Sequence, residues 1–110
     1  MTGFERVGRA ADVPLFEGRS VSLAGHRVAI FRLADGFVAL DAACPHAGGP
    51  LSDGIVADRC VTCPLHGWRF DLRTGAPAGG GAGAGVAVHE VAEHEGDLYL
   101  RLAWAPSEAA

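Results

Sequence analysis

Two short segments, Cys44-Pro45-His46 and Cys63-Pro64-Leu65-His66, constrain this 110-residue chain more than any other feature. Each carries one thiol and one imidazole, with Pro directly after the Cys and Gly one or two residues beyond the His. Pro45 and Pro64 fix φ and remove an N–H, which stiffens the loops. Gly48, Gly49 and Gly67 let the backbone turn sharply around a bulky inorganic core. Sixteen residues separate the two halves. A fold that brings the loops face to face can clamp a metal centre between them, each loop giving one thiolate and one imidazole.

The flanking sequence predicts short strands separated by turns. A strand around Val7 ends at Asp12-Val13-Pro14, and Ser20 to Leu23 alternates apolar and polar positions. After a turn at Gly25, His26 to Leu33 places Val28, Ile30 and Arg32 on one face. Asp35-Gly36 is a hairpin signal, and Phe37 to Leu40 returns antiparallel. Beyond the two loops, the Gly/Ala-rich stretch from 75 to 85 reads as a flexible loop. It lacks the Lys and the spacing of a phosphate-binding loop. Val86 to Val91 and Leu98 to Leu102 flank Glu95-Gly96-Asp97 as a closing hairpin. No segment has sustained helical periodicity, so the expected class is all-β, built as one domain over residues 1–110.

Composition excludes several function classes. The net charge is −4, and all nine basic residues are Arg, scattered singly from Arg6 to Arg101. A nucleic-acid partner needs a basic stripe to displace counterions, and there is none. The apolar stretches fall short of the ~20 residues that span a bilayer, so no membrane partner is expected. The start MTGFERVGRAADVP has no apolar core of a signal peptide. A soluble cytoplasmic protein is the expectation, where three cysteines point to metal or redox chemistry rather than disulfides.

The segments CPHAGGPLSDG (44–54) and VTCPLHGWRFDLRTG (61–75) resemble the Rieske iron–sulfur family, and the strand context on either side is similar too. The resemblance implies an antiparallel β-sandwich with a small cluster-binding subdomain at one tip, here about residues 42–75. It implies one 2Fe–2S cluster per chain, with Cys44 and Cys63 on one iron and His46 and His66 on the other. Two ferric ions, two sulfides, two thiolates and two neutral imidazoles sum to a neutral unit, where four thiolates would leave a dianion. Adding an electron to the neutral unit costs less electrostatic work. The implied role is one-electron transfer, as the ferredoxin component of an aromatic-ring dioxygenase or the small subunit of an NAD(P)H nitrite reductase. The implied partners are a flavin-containing reductase and a terminal oxygenase or reductase, so the chain is not expected to be catalytic alone.

High-potential members of that family carry a Ser two residues after the second His and a Tyr four after it. Here those positions are Trp68 and Phe70, with no hydroxyl to donate to a cluster sulfur. Those members also pair an extra Cys in each loop as a disulfide, at positions that here are Gly49 and Leu65. The resemblance therefore implies a midpoint below zero, on the order of −150 mV.

Competing readings accompany each feature. A zinc-stabilised, non-redox interaction module could use Cys44, Cys60, Cys63 and a His. Against it, Arg59 to Thr62 looks like a strand in which Cys60 packs as a small hydrophobe. His89 and His94 miss the spacing of a metalloprotease helix and read as part of a solvated strand and turn, and His26 as structural or solvated. Trp68 and Phe70 read as cover and core rather than as a redox relay. Glu90, Glu93, Glu95 and Asp97 form an acidic group that either steers a basic partner or only solubilises the surface.

Overall fold

The apolar run in His26–Leu33 becomes a strand with those same ends, and it organises the structure around it. The computed structural model describes residues 3–44, 49–65, 67–78 and 85–103. In chain order the strands are β1 (Glu5–Arg9), β2 (Gly18–Leu23), β3 (His26–Leu33), β4 (Gly36–Asp41), β5 (Ile55–Ala57), β6 (Cys60–Thr62), β7 (Arg69–Asp71), β8 (Pro77–Ala78), β9 (Val88–His94) and β10 (Asp97–Arg101). Two single 3-10 turns, Ala10–Asp12 and Leu51–Asp53, are the helical segments among the described residues. All strand pairs are antiparallel, in a six-stranded sheet ordered β1-β10-β9-β4-β3-β2 and a four-stranded sheet ordered β5-β6-β7-β8.

Three hairpins close through two-residue turns with both central residues at left-handed φ: Ala24-Gly25, Asp58-Arg59 and Glu95-Gly96. That pattern matches the right-handed twist of the strands it joins. The Asp35-Gly36 signal is displaced by one residue. Leu33 pairs with Gly36, so Gly36 opens β4 and the turn is Ala34-Asp35.

The larger sheet is covered on both faces, which explains the nearly continuous apolar run in β3. Val28 and Ile30 join Ala39, Leu98, Leu100, Ala10 and Val13 in one core. Arg32 shares that face, and its guanidinium donates to the carbonyl of Val13 (3.3 Å) and lies 5.1 Å from the centre of the Phe37 ring. Ala29, Phe31 and Leu33 point the other way, into a core shared with Cys44, Leu51, Val61, Cys63, Phe70 and Leu72. This second core joins the two sheets, so both thiols are set in it.

The Gly/Ala-rich stretch is partly ordered, against the expectation of a flexible loop over 75–85. After β7, Asp71 Oδ1 accepts the backbone N–H of Arg73 and Thr74, and Gly75 N–H donates to the Asp71 carbonyl at 2.8 Å. Pro77–Ala78 then pairs with β7 as β8. Val86 N–H returns to the Gly75 carbonyl at 2.8 Å, closing the excursion at its base. Residues 79–84 of the stretch lie outside the described residues. Composition hides this order because within the stretch it resides mostly in backbone bonds.

Gly75 sits at φ +76°, and a Cβ there would collide with the carbonyl of Val86. Gly75→Ala should therefore cost about 2 kcal/mol or more, from the left-handed penalty plus the clash. Chemical denaturation measures it, and a loss below about 0.5 kcal/mol would contradict this role for Gly75.

Candidate metal centre

Each cysteine-bearing loop is closed by its own backbone. The first leaves β4 and returns through the 3-10 turn at Leu51. Cys44 N–H donates to the Gly49 carbonyl (2.9 Å) and Leu51 N–H to the Ala42 carbonyl (2.8 Å), with Ala43 and Pro50 bridging between them. The second loop is the tip of the β6–β7 hairpin. Cys63 N–H donates to the Trp68 carbonyl (2.7 Å), and Gly67 N–H, at φ +71°, returns to the Cys63 carbonyl at 3.1 Å.

The loops face one another. A Cβ built on Gly49 would lie 2.8 Å from Cys63 Sγ and 3.0 Å from Leu65 Cγ, so the first loop rests its bare backbone against the second. The same geometry places the neighbouring positions Gly49 and Leu65 where the disulfide of high-potential relatives was implied. Cys44 and Cys63 are free thiols, each 1% exposed, in one apolar core. Buried thiols without a disulfide partner are a donor set that suits a soft metal. Two of the four expected ligands are thus brought to one place. The other two, His46 and His66, lie outside the described residues, as do Pro45 and Gly48.

Cys60 stands in β6, opposite Ala57 and Asp71, and is buried as expected of a small strand hydrophobe. Among the described residues, the three thiols do not converge as a three-ligand group. Phe70 is fully buried in the core of Cys44 and Cys63, and Trp68 packs against it half-buried, as cover.

Matches to known proteins agree with this geometry. The model of the Rieske [2Fe-2S] domain matches residues 4–91. The chain belongs to the Rieske family. The Rieske domain carries one [2Fe–2S] cluster, and the two buried thiols fit it. Over 50 residues the chain is 48% identical to the anthranilate 1,2-dioxygenase ferredoxin subunit of Burkholderia cepacia, covering 46% of each protein. The matched stretch thus spans less than half of that relative, and only 12% of a longer one, a cholesterol 7-desaturase of Ciona intestinalis. A chain in the solved complex of reduced oxygenase and oxidized ferredoxin in carbazole 1,9a-dioxygenase is 29% identical, with a TM-score of 0.82 and coverage of 96% of this chain and 100% of that one. A Mycobacterium tuberculosis protein assigned as the small subunit of an NADH-dependent nitrite reductase is 28% identical, with a TM-score of 0.82 and coverage of 92% and 96%.

A second polar group lies beside the Rieske loops, and the sequence reading missed it. His89 is not solvated: its side chain is fully buried, and its Nε2–H donates to Asp41 Oδ1 at 2.7 Å. His26 Nε2–H donates to the same oxygen at 2.6 Å, and the two rings meet edge-on with centres 5.5 Å apart. His94 is exposed, as expected, beside Glu95. Position 89 resembles a solvated one because five of the seven residues in HEVAEHE are His or Glu, and Asp41 is 48 residues distant.

Burial acts to raise the Asp41 carboxyl, but hydrogen bonds from His89 and His26 outweigh it and hold the group below the ordinary carboxylate range.

Two outcomes follow from this geometry. Gly49→Ala should push its methyl into Cys63 Sγ and lower the iron bound per chain, measured by iron analysis of the purified protein; full loading would contradict the contact. For Asp41, a depressed folded pKa stabilises the native state above the unfolded value of 3.8, and that contribution is lost as pH falls through the folded value. Asp41→Asn should therefore show a shallower loss of stability below about pH 4 than the wild type, read from denaturation curves at stepped pH. Parallel acid limbs for the two proteins would contradict it.

Proposed function

We propose that the chain is a one-electron carrier with a low-potential cluster held by Cys44, His46, Cys63 and His66, serving as the ferredoxin component or small subunit of a multicomponent oxidoreductase. The observation that carries this reading is the meeting of two closed cysteine loops, Gly49 against Cys63 Sγ, over a core that buries both thiols. A [2Fe–2S] cluster held there takes up and releases one electron at a time. The chain's own residues exclude water and set the environment: Leu51, Val61, Phe70 and Leu72 wall the thiols off, and Trp68 covers them.

The likeness to ferredoxins of ring-hydroxylating systems and to a nitrite reductase small subunit supports two partner classes, a flavin-containing reductase as donor and a terminal oxygenase or reductase as acceptor. The potential is the discriminating physical quantity. Hydrogen bonds to the ligand sulfurs favour the reduced, more negative cluster, and their loss lowers the midpoint. Phe70 is fully buried in the core of Cys44 and Cys63 and has no hydroxyl, and Trp68 has none either. A midpoint on the order of −150 mV suits electrons arriving from NAD(P)H through a flavin rather than from quinol.

Two of the four acidic residues near the C-terminal hairpin are paired with arginine, which weakens their part in partner choice. Glu90 pairs with Arg101 and Asp97 with Arg6 at 3.1 Å. Exposed pairs of this kind add little stability and cancel local field.

Protein-film voltammetry and electron paramagnetic resonance of the reduced protein test the proposal together. The wild type should give a Rieske-type signal and a midpoint below zero, and His46→Ala and His66→Ala should each abolish the signal while Cys60→Ser keeps it. A midpoint clearly above zero, or an unchanged signal in either His variant, would overturn the assignment.

A further inference from the structure

The loop that carries Cys44 leaves the larger sheet at Asp41, where its support changes character. β4 and β9 pair through Ala39–His89 and Leu40–Val88, and that register goes no further. Beyond it, Asp41 N–H donates to the Ala87 carbonyl (2.9 Å) and Ala42 N–H to the Arg27 carbonyl (3.2 Å), after which the chain enters the loop. On one side a cleft of about 540 Å³ separates loop from sheet, with Ser20, His26 and Asp41 on the sheet side and Ala43 and Pro50 on the loop side. Packing does not fill that side, so tethers must hold it.

The tether present is the Asp41 carboxylate, gripped from two neighbouring strands. His26 belongs to β3 and His89 to β9, and Asp41 Oδ1 accepts from both. The direction of the His89 bond is fixed from behind. Ala103 N–H, just past β10, donates to His89 Nδ1 at 2.9 Å, so the ring proton must sit on Nε2 and point at Asp41. This arrangement also settles what the trio is not. Two imidazoles and a carboxylate, with their donor atoms within 4.8 Å of one another, have the composition of a metal site. A proton held on His89 Nε2 makes that nitrogen a donor rather than a ligand, and freeing it would require a second proton to face Ala103 N–H.

We propose that Asp41, clamped by His26 and His89, is a positioning residue that fixes the Cys44 loop on the sheet and thereby places the first thiolate; this rests on the ligand reading above. Asp41 stands three residues before Cys44, and the bonds from Leu51 N–H to Ala42 and from Cys44 N–H to Gly49 carry its placement into the loop. With the carboxylate gone, the fully buried His89 side chain keeps a donor without an acceptor, and β3, β4 and β9 lose their common side-chain link at the loop's root.

The test compares holoprotein carrying Asp41→Asn with Asp41→Ala. Both remove the charge, but only Asn keeps an oxygen that accepts from the two imidazoles. Three quantities are read: the rate of cluster loss to an iron chelator, the line shape of the reduced paramagnetic signal, and amide hydrogen exchange. Asp41→Ala should lose the cluster about ten-fold faster than wild type, the equivalent of one buried hydrogen bond, with a broadened signal. It should also lose exchange protection at the Ala42, Cys44 and Leu51 amides while Val28 and Ile30 keep theirs; Asp41→Asn should stay near wild type. Equal acceleration in both variants would make charge the cause and overturn the proposal, as would wild-type behaviour of Asp41→Ala. If Asp41→Ala does not fold, His26→Ala, which removes the half-exposed tether, decides in its place: faster loss with selective loop exchange supports the proposal, and wild-type rates overturn it. A wild type without any Rieske-type signal would overturn the ligand reading instead, and the amide exchange of the Ala42–Leu51 root would still decide the role of Asp41.

Discussion

Two free thiols on separate loops are buried in one apolar core, and the rest of the structure depends on how that is done. Free cysteines within reach of one another tend toward oxidation or collapse into the core. Here each is fixed from its own backbone, Cys44 by the Gly49 carbonyl and Cys63 by the Trp68 carbonyl, before any metal is considered. The contact between loops falls on Gly49, where a side chain would strike Cys63 Sγ. Loop closure and loop apposition are thus separate devices. The first needs hydrogen bonds within a segment, and the second needs a residue without a Cβ at one point.

Beneath the loops the architecture serves to keep two segments, sixteen residues apart, in register. The β6–β7 hairpin presents the second loop at its tip, and β4 delivers the first from the larger sheet. Phe31 and Leu33 from one sheet and Val61, Phe70 and Leu72 from the other side form one apolar body that also contains both cysteines. A displacement of one sheet relative to the other would therefore require that whole core to repack, which close-packed interiors resist. The rigidity of the thiol pair is a property of this shared core, not of the loops alone.

Much of this was legible in the residues. The twin Cys/His segments pointed to two cysteines that the fold buries in one core, while their histidines lie outside the described residues. His26–Leu33 became a strand with those limits because a short apolar run bounded by turn signals leaves few other options. Legibility failed where the physics is nonlocal or carried by backbone. Asp58-Arg59 makes a left-handed turn without Gly, held between the pairs Ala57–Cys60 and Val56–Val61. Pro77–Ala78 looked like part of a loose loop, but its pairing partner, β7, supplies the order. His89 looked solvated because its strand is rich in Glu and His. Its burial depends on an acceptor, Asp41, that only the folded sheet brings near. A buried histidine among charged neighbours in a strand is a signal that becomes readable only once its register with β4 is known.

Three features of this chain act on a bound electron with the same sign. Trp68 and Phe70 bring no hydroxyl to stabilise a reduced cluster. Asp41, held ionised by its two imidazoles at the root of the Cys44 loop, places a negative charge on the side from which that loop springs. A fixed anion nearby raises the work of adding an electron, and partial burial keeps water from screening it fully. In the proposed ligand set, imidazole in place of thiolate acts the other way by removing two negative charges from the centre itself. On that proposal ligand charge sets the broad range of potential, and the residues around the thiols bias it toward the lower end. Of these, Asp41 alone both carries charge and anchors a loop, so position and potential are coupled through a single carboxylate.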